Sequence, residues 1–137
     1  IGTIGIFASK KVKQVYGIEI VEQAIEDAKE NAKINNVQNA EFICGDVEFA
    51  FDELINKKKI TPTAIIVDPP RRGLDDKTIQ NILKLKIKKF VYVSCNPATM
   101  VRDIAKMEGK YEVQRIQPVD MFPFSKHVEC VSVLYLK

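Results

Sequence analysis

Short apolar runs typical of β-strands alternate with amphipathic helical segments, and this alternation restricts the fold more than any other feature of the sequence. The predicted strands lie in VKQVYGIEI, AEFIC, TAIIV, KFVYVS, YEVQRIQPV and HVECVSVLYLK. The predicted helices are VEQAIEDAKENAKINN, VEFAFDELINKKK, DKTIQNILKL and PATMVRDIAKM. Segments in this order predict an α/β fold with a mostly parallel sheet, helices on both faces and an antiparallel last strand.

Length and composition limit the class of protein. The 137 residues, 46% of them hydrophobic, fit one domain over residues 1–137 with a substantial core. The net charge of +3 comes from interspersed charges of both signs, so it permits a polyanionic partner without requiring one. The 3 cysteines have neither metal-site nor redox-pair spacing, which predicts free thiols, a reducing compartment and no metal. Without a membrane-length apolar run or a leader-like opening, a soluble cytoplasmic protein is expected.

The residues that end successive predicted strands form a pattern of three carboxylates and one thiol: Glu19, Asp46, Asp68 and Cys95. Open α/β sheets bind ligands at the carboxyl ends of their strands, so these side chains mark a candidate site. Carboxylates after the first two strands suit a nucleoside, because they can accept hydrogen bonds from ribose hydroxyls and an adenine amine. In the alternative interpretation, Glu19 and Asp46 only cap the helices that follow them.

The opening segment, IGTIGIFASKK, is similar to the second half of a glycine-rich turn and the helix that it starts. Small residues there, Gly2 and Thr3, would let a cofactor approach the backbone closely. The strand that should precede such a turn is absent from the sequence, which predicts a fragment without its first strand.

The segment DPPRRGL, Asp68 to Leu74, follows the third strand. Two prolines predict a rigid loop whose carbonyls can face a ligand, with Asp68 held at its edge. Arg71 stands where amino-methylating enzymes carry an aromatic residue, which argues against that group and offers a cation for a phosphate or carbonyl oxygen. Alternatively the segment is an ordinary turn with solvated arginines.

Cys95 lies between a predicted strand and a helix whose first turn contains Pro97. A helix amino end favours the thiolate form of a nearby cysteine, which suggests covalent catalysis rather than redox chemistry, because no partner cysteine is near in sequence. Cys44 and Cys130 lie within apolar strand patterns and are predicted to be small buried hydrophobic residues.

A last cluster, DMFPFSKHVEC, precedes the final strand. His127 and Glu129 are two residues apart and therefore point to the same face. An acidic residue at the entrance to an apolar strand is costly unless it is solvated or functional, and it is a candidate general base. An exposed strand-entry position remains the alternative for His127.

Together, IVDPPRRGL, VYVSCNPATMVRD and DMFPFSKHVE resemble, in order and spacing, the signature of the RNA (uracil-5-)-methyltransferase family. The resemblance extends over essentially the whole chain and implies a Rossmann-like class I methyltransferase fold, S-adenosylmethionine as cofactor, and RNA, with rRNA expected rather than tRNA, as substrate. It implies that Cys95 is the nucleophile and Glu129 the base. The implied cofactor contacts are Gly2, Thr3, Glu19, Asp46 and Asp68; the expected substrate contacts are Arg71, His127 and Phe122.

Members of that family carry further regions upstream of this part, so we expect the present chain alone to be inactive, and its sheet edge to be able to pair with a second copy. Two alternatives remain open. An RNA cytosine-5 methyltransferase also uses a thiolate, but it carries a cysteine where this chain has Arg71. A non-catalytic RNA-binding or scaffolding module would suit the basic runs NKKK and KLKIKK.

Overall fold

The structure, a computed structural model, describes residues 2–137. The chain divides into two compact units, one ending at Ile60 and the other spanning Thr61–Lys137. Each unit has its own β-sheet. None of the helices described over residues 2–137 has both the length and the apolar composition that crossing a membrane requires.

The first unit contains a two-stranded parallel sheet and its helices. Its elements are α1 (Thr3–Ser9), β1 (Val15–Glu19), α2 (Glu22–Ile34), β2 (Ala40–Cys44), α3 (Val47–Phe51) and a π-helical continuation (Asp52–Lys57). Helix α2 buries Ile25, Ala28 and Ala32, whose spacing places them on one helical face. Among residues 2–137, no strand precedes α1.

Gly17 in β1 shows how closely the first unit is packed. A Cβ atom at this position would lie 2.6 Å from Cδ1 of Phe42 on the paired strand, so the aromatic ring occupies the space above the glycine. Any larger residue would displace the ring, since a packed interior accommodates added volume poorly.

The second unit contains a four-stranded sheet in the order β3-β4-β6-β5. Its elements are β3 (Ala64–Val67), α4 (Asp76–Leu85), β4 (Lys89–Ser94), α5 (Pro97–Ala105), β5 (Tyr111–Val119) and β6 (Glu129–Leu136). Strands β3 and β4 are parallel, and β6 is antiparallel to both β4 and β5. Three of its strands therefore share one direction and only the last is reversed, as the sequence predicted.

Aromatic side chains form much of the core of the second unit. Phe90 and Tyr92, both fully buried on β4, meet edge to face with their ring centroids 6.2 Å apart, and Tyr111 lies 6.1 Å from Phe90. Such pairs add to the stability that apolar burial alone provides. Helix α4 covers this core with Ile79, Ile82 and Leu83.

The predicted α/β class is confirmed, and several predicted segments, including AEFIC, DKTIQNILKL and KFVYVS, coincide with observed elements. The helix predicted from Val47 differs in that it changes from α to π geometry at Asp52. The prediction for Cys44 was wrong: its side chain is exposed and its thiol donates to the Ile20 carbonyl at 3.7 Å. Cys44 is the last residue of β2, where the chain leaves the sheet. Cys130 is buried as predicted, and burial raises the pKa of its thiol.

Candidate active site

In the first unit, the carboxyl ends of β1 and β2 meet at the same edge of the sheet. The parallel register pairs Glu19 with Cys44, and the amide of Gly45 donates to the Glu19 carbonyl at 3.0 Å. The acidic residues Glu19 and Asp46 therefore follow neighbouring strands at one edge, as the sequence predicted.

The Glu19 carboxylate is oriented by the backbone immediately after it. Its Oε1 accepts hydrogen bonds from the amides of Ile20 at 2.7 Å and Val21 at 3.1 Å. No residue among positions 2–137 contacts Oε2 through a hydrogen bond or ion pair, so this oxygen remains an acceptor toward solvent. The carboxylate thus accepts from the two backbone amides that precede α2, and its second oxygen is a fixed acceptor at the end of β1.

Asp46 behaves as the capping interpretation predicted. It is the N-cap of α3, and its Oδ1 accepts from the Phe49 amide at 2.7 Å. A carboxylate at this position satisfies one of the free amides of the first helical turn. The structure consequently gives Asp46 a local structural role, whatever else it binds.

Gly2 is required by both backbone geometry and packing. Its φ of 73° lies in the left-handed region, and a Cβ atom there would be 2.9 Å from Cβ of Ala28 on α2. Thr3, the first residue of α1, is exposed. Close approach of α1 to α2 thus accounts for the glycine in structural terms.

In the second unit, the loop from Asp68 to Leu74, here called the β3–α4 loop, is fastened to α5. The Arg71 carbonyl accepts from Nδ2 of Asn96 and Oγ1 of Thr99, each at 3.1 Å, and the Arg72 carbonyl accepts from Nη2 of Arg102 at 2.8 Å. The expectation that these carbonyls face a ligand was therefore wrong. The prolines stiffen the loop, but helix side chains use its acceptors.

Asp68 begins this loop and is an exposed residue, although the protein around its carboxyl group removes part of its solvation. Partial burial raises the pKa of its carboxyl above the ordinary value. No side chain among residues 2–137 compensates its charge with a hydrogen bond or ion pair, so the carboxylate keeps its acceptor capacity for a ligand.

The loop ends against a buried carboxylate that the sequence analysis gave no role. Asp103 is fully buried, and its Oδ2 accepts from the Leu74 amide and the Tyr92 hydroxyl, both at 2.7 Å. Its Oδ1 accepts from Nε and Nη2 of Arg102 at 2.9 and 2.7 Å. Burial and the neighbouring Asp103 raise the pKa of Tyr92, which therefore remains a donor. The sequence signal was available, because Asp103 lies between buried Met100 and Met107 at helical spacing.

Cys95 occupies the turn between β4 and α5. It is half-buried and has a free thiol. The turn is held by Ser94, whose Oγ accepts from the Asn96 amide at 3.0 Å and donates to the Asn96 carbonyl at 2.9 Å. The next residue, Pro97, begins α5 as expected from the sequence. This turn therefore places the thiol at the amino end of a helix.

The pairing of β4 with β6 relates Cys95 to Glu129. Within the antiparallel ladder, Ser94 pairs with Cys130 and Val93 with Val131. Cys95 directly follows Ser94, the last paired residue of β4, and Glu129 directly precedes Cys130, the partner of Ser94, as the first residue of β6. Both residues therefore lie at the same end of the β4–β6 pair. Glu129 is half-buried, as is Cys95.

A second contact joins the β3–α4 loop to the segment before β6. Nη2 of Arg71 lies 3.3 Å from Nδ1 of His127. Arginine can only donate, so Nδ1 is the acceptor in this arrangement. His127 is further placed by its amide, which donates to Oγ of Ser125 at 3.1 Å, while that hydroxyl donates to the Phe122 carbonyl at 2.8 Å. The Phe122 side chain is 52% exposed, which leaves its ring accessible for stacking.

The second unit therefore contains six of the predicted site residues, from three segments of the chain: Asp68, Arg71, Cys95, Phe122, His127 and Glu129. The remaining predicted site residues, Gly2, Thr3, Glu19 and Asp46, belong to the first unit. Sequence reasoning missed the residues that hold the loop, namely Gly73, Tyr92, Thr99, Arg102 and Asp103.

Comparisons with known proteins support the fold. The chain is 37% identical to Pyrococcus abyssi tRNA (uracil-54, C5)-methyltransferase, solved with S-adenosyl-L-homocysteine, with a TM-score of 0.80 over 97% of this chain and 31% of that chain. An rRNA methylase from Streptococcus thermophilus, 13% identical, superposes with a TM-score of 0.71 over 96% of this chain and 78% of that chain. The Rossmann-like methyltransferase fold is thus confirmed.

Sequence comparison identifies the family. An uncharacterized RNA methyltransferase of Bacillus cereus is 50% identical over 135 residues, which are 98% of this chain and 29% of the relative. The chain thus spans less than a third of the length of that relative. The sequence profile of the tRNA (Uracil-5-)-methyltransferase family matches residues 1–137. The chain belongs to the tRNA (uracil-5-)-methyltransferase family.

Proposed function

We propose that the protein carrying this chain transfers a methyl group from S-adenosylmethionine to carbon 5 of a uridine in rRNA or tRNA, through a covalent bond between Cys95 and carbon 6. The observation behind the proposal is that Cys95, just before α5, and Glu129, at the start of β6, lie at the same end of the paired strands β4 and β6. Family membership supports the same chemistry.

The described residues fit a nucleoside cofactor. Glu19 has one oxygen fixed by two amides and a second oxygen open to solvent, which suits bonds from ribose hydroxyls. Asp46 stands at the end of the adjacent strand. Asp68, in the second unit, is proposed as a further contact because its carboxylate keeps its acceptor capacity. Gly2 and Thr3 complete the proposed cofactor contacts. When bound, S-adenosylmethionine would supply an electrophilic methyl group, whose bond to the sulfonium breaks on transfer and leaves S-adenosylhomocysteine.

Cys95 makes the uracil ring reactive. Carbon 5 of uracil is a poor nucleophile, but addition of the Cys95 thiolate to carbon 6 forms an S–C bond and moves an electron pair into the ring as an enolate. Carbon 5 of this enolate can then accept a methyl group. The turn held by Ser94 keeps the thiol just before the amino end of α5.

Glu129 completes the reaction as general base. Once carbon 5 is methylated, its remaining proton passes to the Glu129 carboxylate, the C5–C6 double bond returns and the S–C6 bond breaks. The proton on Glu129 then returns to solvent, and the Cys95 thiolate is regenerated. In this scheme, Cys95 and Glu129 act on adjacent carbons of one ring.

Three further side chains are proposed to receive the base. Arg71 offers a cation for a uracil carbonyl or a phosphate, and its contact with His127 sets the direction of the guanidinium. Phe122 offers an exposed ring on which a base can stack once it has left the RNA helix.

The test uses the complete protein that carries this sequence, incubated with labelled S-adenosylmethionine and, separately, rRNA and tRNA from a strain deficient in uridine methylation. Wild type is compared with Cys95→Ala, Glu129→Gln and the control Cys44→Ala, which removes an exposed thiol from the first unit. We expect labelled 5-methyluridine from wild type and Cys44→Ala only. A covalent RNA adduct should accumulate with Glu129→Gln, since the step that releases the thiolate is blocked.

Other results would favour a different function. Label on cytosine would favour the cytosine-5 methyltransferase, and full activity of Cys95→Ala would remove the thiol from the mechanism. RNA binding without any methylation by wild type would favour a non-catalytic RNA-binding module. Comparing the two RNA pools decides between rRNA and tRNA.

A further inference from the structure

A single buried carboxylate connects three parts of the second unit. Asp103 has no exposed surface, and both of its oxygens are fully used. Its donors are the Tyr92 hydroxyl on β4, the Leu74 amide at the end of the β3–α4 loop, and the Arg102 guanidinium on α5. The set of Asp103, Tyr92 and Arg102 is here called the loop clamp.

Gly73 shows how tightly the loop is drawn onto the clamp. Its φ is 80°, and a Cβ atom there would lie 2.4 Å from Oδ2 of Asp103 and 2.7 Å from Nη2 of Arg102. Only glycine fits this conformation and this distance without displacing one of the two charged groups. The approach of the loop to Asp103 is thus sterically specified.

Stability alone is a weak explanation for this arrangement. An ion pair such as Arg102–Asp103, in which the Arg102 side chain is 48% exposed, adds little stability, because desolvation of the carboxylate offsets much of a screened attraction. A carboxylate that receives donors from three segments does something that an apolar side chain cannot, since directional bonds fix distances and angles. The loop clamp therefore fixes the relative positions of the segments that it joins.

The clamped segments are the ones that carry the proposed chemistry. The β3–α4 loop begins at Asp68 and includes Arg71, while α5 begins two residues after Cys95. Thr99 and Asn96 at the start of α5 also bind the Arg71 carbonyl. A shift of the loop against α5 would move Arg71 relative to the Cys95 thiol.

We propose that Asp103 is a positioning residue that, through Tyr92, Arg102 and the Leu74 amide, fixes the β3–α4 loop relative to Cys95 so that the uracil ring meets the thiolate in a reactive orientation. This inference rests on the proposed methyltransferase function. In this role, Asp103 does not contact the substrate.

A pair of matched tyrosine variants tests the proposal in the complete protein. Tyr92→Phe removes one donor to Asp103, whereas Tyr111→Phe removes an equally buried hydroxyl that donates only to the Ile87 carbonyl at 2.8 Å. We expect kcat for RNA methylation to fall about tenfold in Tyr92→Phe, as for the loss of one bond to a charged acceptor. In Tyr111→Phe it should stay within about twofold of wild type.

Asp103→Asn should lower kcat more than Tyr92→Phe does, and the KM for RNA provides a second measurement. Its kcat should fall by about 100-fold, because small misplacements of reacting groups have effects of that size. The KM for RNA should remain within about twofold of wild type in all three variants, since the clamp does not contact substrate. If Asp103→Asn fails to fold, the tyrosine pair still decides the question.

The outcomes separate this inference from the proposed function. Absence of methylation by wild type would overturn the proposed function and this inference with it. Active wild type with equal kcat in Tyr92→Phe and Tyr111→Phe would overturn the positioning role alone. A rise in the KM for RNA with unchanged kcat would also overturn it, because that result indicates a binding role.

Discussion

Nη2 of Arg71 and Nδ1 of His127 lie 3.3 Å apart, which joins the loop after β3 to the segment before β6. If this bond orients the guanidinium, His127→Ala should lower kcat/KM roughly fivefold, the effect of about 1 kcal/mol from one exposed hydrogen bond. Arg71→Lys should have at least the same effect, because lysine lacks the planar fork. The control is Arg72→Lys, an adjacent exposed arginine, and equal losses in Arg71→Lys and Arg72→Lys would contradict the role.

Gly73 should tolerate substitution far less well than Gly109. Gly73→Ala places a Cβ atom at a φ of 80° and 2.4 Å from Oδ2 of Asp103, so we expect a loss of about 2 kcal/mol in the free energy of unfolding. Gly109→Ala meets no atom within 4 Å and should be neutral or slightly stabilising. Urea unfolding of both variants measures the difference. Equal unfolding midpoints would show that the loop is not held as the structure describes.

The pKa values of Asp68 and Asp75 should lie on opposite sides of the ordinary value for aspartate. Partial burial raises the pKa of Asp68, whereas the Thr78 amide, which donates to the Asp75 carboxylate at 2.7 Å, lowers the pKa of Asp75. An NMR titration of the side-chain carboxyls should therefore give Asp68 the higher midpoint of the two. The reverse order would contradict the described environments.

The same shifts predict the pH dependence of stability. For Asp68, the raised pKa means that its contribution favours folding below the unfolded-state pKa and is lost as pH rises through the folded-state pKa. Asp68→Asn should therefore be at least as stable as wild type at neutral pH, with the gap closing as the pH falls. For Asp75, the contribution is present above the unfolded-state pKa and is lost as pH falls. Thermal unfolding measured from acidic to neutral pH gives the direction of the pH dependence for each of the two residues.

Two substitutions at Asp46 separate its cap from its proposed cofactor contact. Asp46→Ala removes the bond to the Phe49 amide and should lower the free energy of unfolding by about 1 kcal/mol. Asp46→Asn keeps a good N-cap and should preserve stability while weakening S-adenosylmethionine binding, since it loses the charge and one acceptor oxygen. Calorimetric titration with the cofactor provides the second measurement. Unchanged affinity in Asp46→Asn would restrict this residue to capping.

The sequence by itself determined the order of strands and helices and the residues at strand ends. Runs such as KFVYVS and DKTIQNILKL predicted β4 and α4 because burial on one face imposes a period that neighbouring residues reveal. The motifs around Asp68, Cys95 and Glu129 were likewise visible, since each lies next to a strand end. The cap at Asp46 was available as an alternative because capping is a local interaction.

Only the tertiary structure decided which of these residues meet. The location of Cys95 and Glu129 at one end of the β4–β6 pair, the contact of Arg71 with His127, and the bonds from Leu74 and Tyr92 to Asp103 join residues that are not neighbours in sequence. The tertiary structure also engages carbonyls of the β3–α4 loop in hydrogen bonds, which the prolines alone would leave free. It leaves the Cys44 side chain exposed. Local preferences arise from a residue and its nearest neighbours, whereas pairing register and buried polar contacts depend on non-local packing that a one-dimensional pattern does not contain.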